Sequence, residues 1–144
     1  MNYLFYDIGV TSNNNPQWSN VQNRLTVKVS NEGTELTTNA RWGQLYPINQ
    51  TNLYTTPFYI EFNIVGFSNH PCIRVHNGSE TNYFELMWIG HYKIILAPTG
   101  VVVKVNGEVK PNSINIDLSN SAKVYFELPL IEDILKYNNF RLYQ

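Results

Sequence analysis

The side chains best able to do chemistry in this sequence are aromatic rings interleaved with amides and a few charges. One set is Tyr59, Arg74, His76, Tyr83 and Glu85, joined by Glu61 and Asn63; a second is Trp42 and Tyr46, with Arg41 and Gln44 beside the tryptophan as donors. A saccharide requires this mixture, because its C–H faces stack on rings while its hydroxyls pair with planar polar groups. Trp18 and Tyr54 lie in similar surroundings rich in Asn, Thr and Pro. The composition agrees. Twenty Asn and 20 aromatic residues, ten of them Tyr, stand against only 15% charged residues, so amides, hydroxyls and phenols must cover much of the surface. Three plainer readings stay open. A codon bias toward Asn and Tyr gives the same composition. Arg opposite Glu and Tyr beside Tyr stabilise a solvated sheet by roughly 0.2 to 1 kcal/mol per pair. Finally, a tryptophan sealing one end of the fold looks the same in sequence as one that binds.

Other chemistries find less support. His70, His76 and His91 lack the i, i+4 spacing of a helical zinc pair, and no metal site is expected from them. A structural calcium ion stays open, with Asp7, Asp117 and Asp133 as its candidate ligands, although no Asp-rich loop of the EF-hand type occurs. The single cysteine, Cys72, excludes an intrachain disulfide framework. No Gly-x-Ser-x-Gly elbow marks a serine nucleophile. Ten Lys and Arg against eleven Asp and Glu give a net charge of -1, with no two basic residues adjacent, so nucleic acid is not an expected partner. No apolar stretch approaches the roughly 18 residues of a membrane-spanning helix, and the sequence does not open on a basic region followed by an apolar core.

The elements that must position these residues read as strands. Apolar and polar residues alternate through Leu25 to Val29, Phe58 to Ile64, Ile73 to Val75, Phe84 to Trp88, Tyr92 to Leu96, Val101 to Val105, Ile114 to Leu118, Val124 to Leu128 and Phe140 to Leu142. Period-2 alternation in short runs is the mark of half-buried antiparallel strands. Pro98-Thr99-Gly100, Asn106-Gly107, Asn77-Gly78-Ser79, Asn69-His70-Pro71 and Pro111-Asn112 supply the reversals. Asn13 to Asn23 and Pro47 to Pro57 read as loops, and at most one short helical turn fits near 130–136, within Pro129 to Tyr137. The 144 residues suit one sandwich or barrel domain. Parity then aims Tyr59, Glu61 and Asn63 outward, and likewise Arg74 and His76, and Tyr83 and Glu85. These strands are expected to be neighbours on one sheet surface.

The order of strands over Phe58 to Ile64, Ile73 to His76, Tyr83 to Trp88 and Tyr92 to Val109 resembles the concanavalin A-like jelly roll, also called the laminin-G-like sandwich. Val101 to Val109, with its Asn106-Gly107 turn, looks like the family's strand, turn and returning strand. Asn138 to Tyr143 looks like the closing strand that returns beside the first, here Tyr3 to Asp7. Glycoside hydrolases of this family carry Glu-x-Asp-x-x-Glu on a strand. The nearest stretch here, Glu61-Phe-Asn63-Ile-Val-Gly66, keeps one carboxylate where the mechanism needs two. A distant partner, Glu85 or Glu127, is what a hydrolase would require. Sequences with this Asn- and Tyr-rich texture resemble modules of bacteriophage tail, baseplate and adhesin proteins.

The resemblance therefore implies an all-β, two-sheet antiparallel jelly roll acting as a non-catalytic carbohydrate-binding module. Its expected partner is a glycan or cell-wall polysaccharide, its expected place a virion or a cell surface, and its expected state a homo-oligomer within a larger assembly. A structural domain that joins virion or surface subunits is the principal alternative, and a hydrolase the third.

Overall fold

The computed structural model describes residues 2–7, 18–111 and 114–144. In chain order the strands are β1 (Tyr3–Asp7), β2 (Trp18–Asn20), β3 (Leu25–Ser30), β4 (Gly33–Thr38), β5 (Gly43–Pro47), β6 (Tyr54–Thr55) and β7 (Phe58–Ser68). There follow β8 (Cys72–His76), β9 (Thr81–Glu85), β10 (Gly90–Ala97), β11 (Gly100–Val105), β12 (Glu108–Lys110), β13 (Ser121–Leu128) and β14 (Ile134–Tyr143). They form two antiparallel sheets. The eight-stranded sheet runs β12-β11-β10-β7-β14-β4-β3, with β1 also paired to β14; the six-stranded sheet runs β2-β5-β13-β8-β9, with β6 paired to β13.

Alternation does what the pleat demands. Phe58, Ile60, Phe62 and Ile64 of β7 and Tyr92, Ile94 and Leu96 of β10 are buried on the inner face of one sheet. Ile73, Val75, Phe84, Val124 and Phe126 meet them from the other. Phe126 forms the seam, with its ring 5.4 Å from Phe62, 5.4 Å from Phe140 and 5.0 Å from Tyr137. The Asn106-Gly107 turn has positive φ at both residues (51° and 81°), which is why this dipeptide stands there. The closing strand pairs with β1 as expected, Tyr3 opposite Tyr143, and also with β7 and β4.

Three local expectations give way. Ile114 to Leu118 forms no strand, because its carbonyls are met by side chains: Thr56 Oγ1 donates to Leu118 O at 2.7 Å and Asn77 Nδ2 to Asp117 O at 2.9 Å. Between residues 129 and 137 there is a turn and no helix, within the limit of at most one short helical turn expected there. The buried Asp133 accepts from the Leu130 N–H at 2.8 Å and the His70 N–H at 3.3 Å, and β14 begins at the next residue. Of the Asn13 to Asn23 loop, residues 13–17 lie outside the described residues, as does Asn112 of the Pro111-Asn112 reversal; Trp18–Asn20 is strand β2, and one 3-10 turn follows at Val21–Asn23. Trp18 belongs to the interior, packing on Phe5 and Phe140 with ring centroids 4.8 and 5.0 Å away. Within Pro47 to Pro57, Tyr54 sits buried on β6.

Candidate functional site

The outer face of the six-stranded sheet carries three cross-strand rows. Strand register places Gln44, Glu127, Cys72 and Glu85 in one, Tyr125, Arg74 and Tyr83 in the next, and Lys123, His76 and Thr81 in the third. A cleft of about 190 Å³ opens on this face, lined by Trp42, Arg74, Tyr83 and Glu85 together with His70, Cys72 and Pro129. Four of the seven binding residues expected from sequence thus converge. Parity aims Arg74, Tyr83 and Glu85 outward from β8 and β9, while Trp42 leans in from the loop between β4 and β5.

Arg74 is the centre of the polar part. Its Nε donates to Glu127 Oε1 at 2.5 Å, and its guanidinium carbon lies 5.1 Å from the Tyr83 ring centroid. Gln44 Nε2 donates to the other Glu127 oxygen at 2.9 Å. Burial works against the arginine's charge, but the hydrogen bond and the field of Glu127 outweigh it and hold its pKa above the ordinary value. The Nη1 and Nη2 donors make no hydrogen bond among the described residues. Glu127, with its side chain 3% exposed, has both oxygens occupied and does not line the cleft, so it is a positioning group for Arg74.

Trp42 supplies the apolar part. It is 48% exposed, and its backbone lies in the left-handed region at φ 62°, where a bulky side chain is a costly outlier. Its N–H donates to Pro129 O at 3.3 Å, which ties the loop to the cleft rim. An indole held out in this way, next to a guanidinium with free donors, can take an apolar ring face and its hydroxyls together.

The remaining expected residues fall elsewhere. His76 lies on the same face, one row away from the cleft. Its Nδ1 accepts from the Gly78 N–H at 2.7 Å, and burial followed by the charge of Lys123 lowers its pKa, so the neutral ring is favoured. Tyr46 is buried (6% exposed), stacked on Tyr125 at 4.2 Å, and supports the face without reaching a ligand. Tyr59 is on the opposite outer face. β7 pairs with β10 and β14, not β8, because the chain crosses from one sheet to the other between Ser68 and Cys72. The expectation that these strands are neighbours fails at that crossing.

The same crossing separates Glu61 from Glu85 and Glu127, which project from the other sheet. Glu61 is bound instead by Arg141 Nη2 at 2.6 Å, His91 Nε2 at 3.0 Å and the Tyr143 hydroxyl. The candidate calcium ligands are also apart. Asp7 accepts from Trp18 Nε1 at 2.6 Å, Asp117 from the Ser119 N–H at 2.9 Å, and Asp133 caps its turn. Among the described residues no three His, Cys, Asp or Glu side chains converge. Sequence reasoning missed His70, which it weighed only as a metal ligand, and Cys72 and Pro129 as cleft residues. Cys72 shares its outward parity with Arg74, a signal that was there to read, whereas nothing in the sequence places Pro129 beside them.

No family model and no curated protein matches the chain. Among solved structures it is similar to a Bacillus subtilis protein of unknown function described as having a galectin-like fold. The likeness has a TM-score of 0.64 at 8% identity and covers 100% of this chain and 96% of the other. At that identity it carries the fold alone, and the fold is a galectin-like, two-sheet antiparallel sandwich.

Proposed function

We propose that this chain is a non-catalytic carbohydrate-binding module whose site is the cleft on the six-stranded sheet. The observation that carries the reading is the exposed Trp42 indole, held at positive φ beside an arginine whose Nη donors are free. The indole takes the C–H face of a pyranose. Arg74 and Glu85 take hydroxyls as donor and acceptor, Tyr83 walls the far side, and Glu127 and Gln44 hold the guanidinium in place. Backbone strain at a ligand-facing residue is a recurrent accompaniment of function. Glu61 projects from a different sheet than Glu85 and Glu127, the partners a hydrolase would require, and this supports the non-catalytic reading, since acid and base or nucleophile must flank one bond.

A cleft of this size buries little of a ligand, so single-site affinity is low and useful attachment comes from several copies acting together. That favours a homo-oligomeric setting on a virion or cell surface, such as a phage tail or adhesin, with a cell-wall or surface polysaccharide as the partner. The test is calorimetric titration of neutral oligosaccharides. Binding that Trp42→Ala and Arg74→Met each abolish, with folding intact, is the expected result. A panel that gives no heat even at millimolar sugar, or binding indifferent to both changes, removes the proposal.

A further inference from the structure

The outer face of the eight-stranded sheet carries a second arrangement that the cleft does not use. Register aligns Val102, Ile95, Tyr59, Tyr143 and Tyr3 in one row across β11, β10, β7, β14 and β1. The next row is Lys104, Lys93, Glu61, Arg141 and Tyr6, two residues along each strand except β1, where a register shift between Tyr3 and Phe5 makes it three. Five strands at about 4.8 Å spacing make a strip roughly 19 Å long. Its rings touch: Tyr59 stacks on Tyr143 at 5.3 Å, Tyr3 meets Tyr143 at 6.2 Å, and Tyr6 meets Tyr3 at 5.1 Å. Tyr3 and Tyr6 are each 49% exposed and Tyr59 is half-buried, with Tyr143 as the floor between them.

The charge along the strip is unbalanced. Glu61 is engaged by Arg141, His91 and Tyr143 and also stands directly opposite Lys93, which leaves three cations to one carboxylate in the row. Lys93 and Lys104 stand directly opposite each other across β10 and β11, and neither is in an ion pair among the described residues. Like charges directly opposite destabilise a sheet, so the fold gains nothing from this pair by itself. An anion between them removes the penalty. Lys93 Nζ also lies 5.8 Å from the Tyr59 ring centroid, which brings a cation to the edge of the aromatic row.

We propose that this strip is a second binding site, for a linear carboxylated glycan, with pyranose faces on the exposed rings of Tyr3 and Tyr6 and the uronate carboxylates on Lys93 and Lys104. The geometry favours a glycan over an acidic protein partner. The strip is narrow and straight, with its rings on β7, β14 and β1 at one end and the two lysines on β10 and β11 at the other, flanked by the amides of Asn63 and Asn138, rather than a pocket that could seat one buried anchor. The site is independent of the cleft, which lies on the other sheet.

The experiment is titration of the full chain with tetragalacturonate and, separately, with its methyl ester, which keeps the rings and removes the charge. The proposal expects the acid to bind, the ester not to, and the affinity to fall with added salt. Lys93→Gln and Lys104→Gln should each weaken binding about threefold and together about tenfold, as exposed ion pairs do. Both lysines are solvent-facing, and unchanged thermal melts of the variants confirm that folding is intact. Trp42→Ala should leave tetragalacturonate binding unchanged, which separates this site from the cleft. Equal binding of acid and ester, indifference to the double lysine change, loss on Trp42→Ala, or no binding of the acid overturns it. A self-association that Tyr3→Ala dissolves overturns it too, by assigning the strip to a second copy of the chain.

Discussion

Replacing Arg74 with methionine keeps the length and apolar stem of the side chain and removes the cation. Glu127 is then left 3% exposed, with only the Gln44 amide as a partner. Breaking a buried pair from one side costs about 3–5 kcal/mol; because Arg74 itself is 22% exposed, water reaches part of the gap, and about 2–4 kcal/mol is the expected loss. At this chain length that is a fall in melting temperature of roughly 6–12 °C. Urea unfolding followed by tryptophan fluorescence at neutral pH measures it. Arg74→Met combined with Glu127→Met should recover stability to within about 1 kcal/mol of the parent, since no stranded charge remains. A single-variant deficit under about 1 kcal/mol refutes the claim that Glu127 is desolvated and needs Arg74.

Trp42→Gly should remove saccharide binding while leaving stability unchanged or up by as much as about 1 kcal/mol, because glycine adopts positive φ freely; chemical denaturation beside a sugar titration reads both, and a large destabilisation would make the indole structural. Burial pushes the Cys72 thiol up to about 12, so its alkylation by iodoacetamide at pH 8 should run at least about a hundredfold slower than that of free cysteine, and slower still with a cleft ligand bound. Burial opposes the charge of Glu61, but Tyr143, Arg141, His91 and Lys93 together hold its carboxyl below the ordinary range. The stability this contributes is present above the unfolded carboxylate pKa and is lost as pH falls through the lower folded one; Tyr143→Phe should cost about 1–2 kcal/mol at neutral pH and less in acid, by denaturation at both.

Pleat parity was plain in the residues themselves. The inward set at 58, 60, 62 and 64, the outward Arg74 and the outward Tyr83 and Glu85 all follow from alternation, and the structure buries and exposes them accordingly. Alternation does not say which sheet a strand joins, and so it groups Tyr59 with Arg74 although the two face away from each other. Strands β4 and β5 escaped because their inner residues are not all greasy. Thr38 is buried with its hydroxyl donating to Leu130 O at 2.5 Å, and Gly43 is packed so tightly that a Cβ there would come within 2.5 Å of Leu25. Trp18 looked like a loop residue because the amides and proline before it hid a three-residue strand. In the cleft, Trp42 and Arg74 were legible as ring and donor, but the carboxylate that holds Arg74 lies one strand away and far along the chain, which only the fold brings together.

The last strand in sequence order is the middle of the larger sheet, flanked by β7 on one side and by β4 and β1 on the other. A ribosome that has released everything up to residue 133 has therefore made two sheet fragments, β12-β11-β10-β7 and β4-β3, each with a raw edge where β14 belongs. Such edges template pairing between nascent chains. Maturation must wait for residues 134–143 to emerge, and a premature stop before Ile134 yields an aggregate for proteases to clear rather than a smaller working domain.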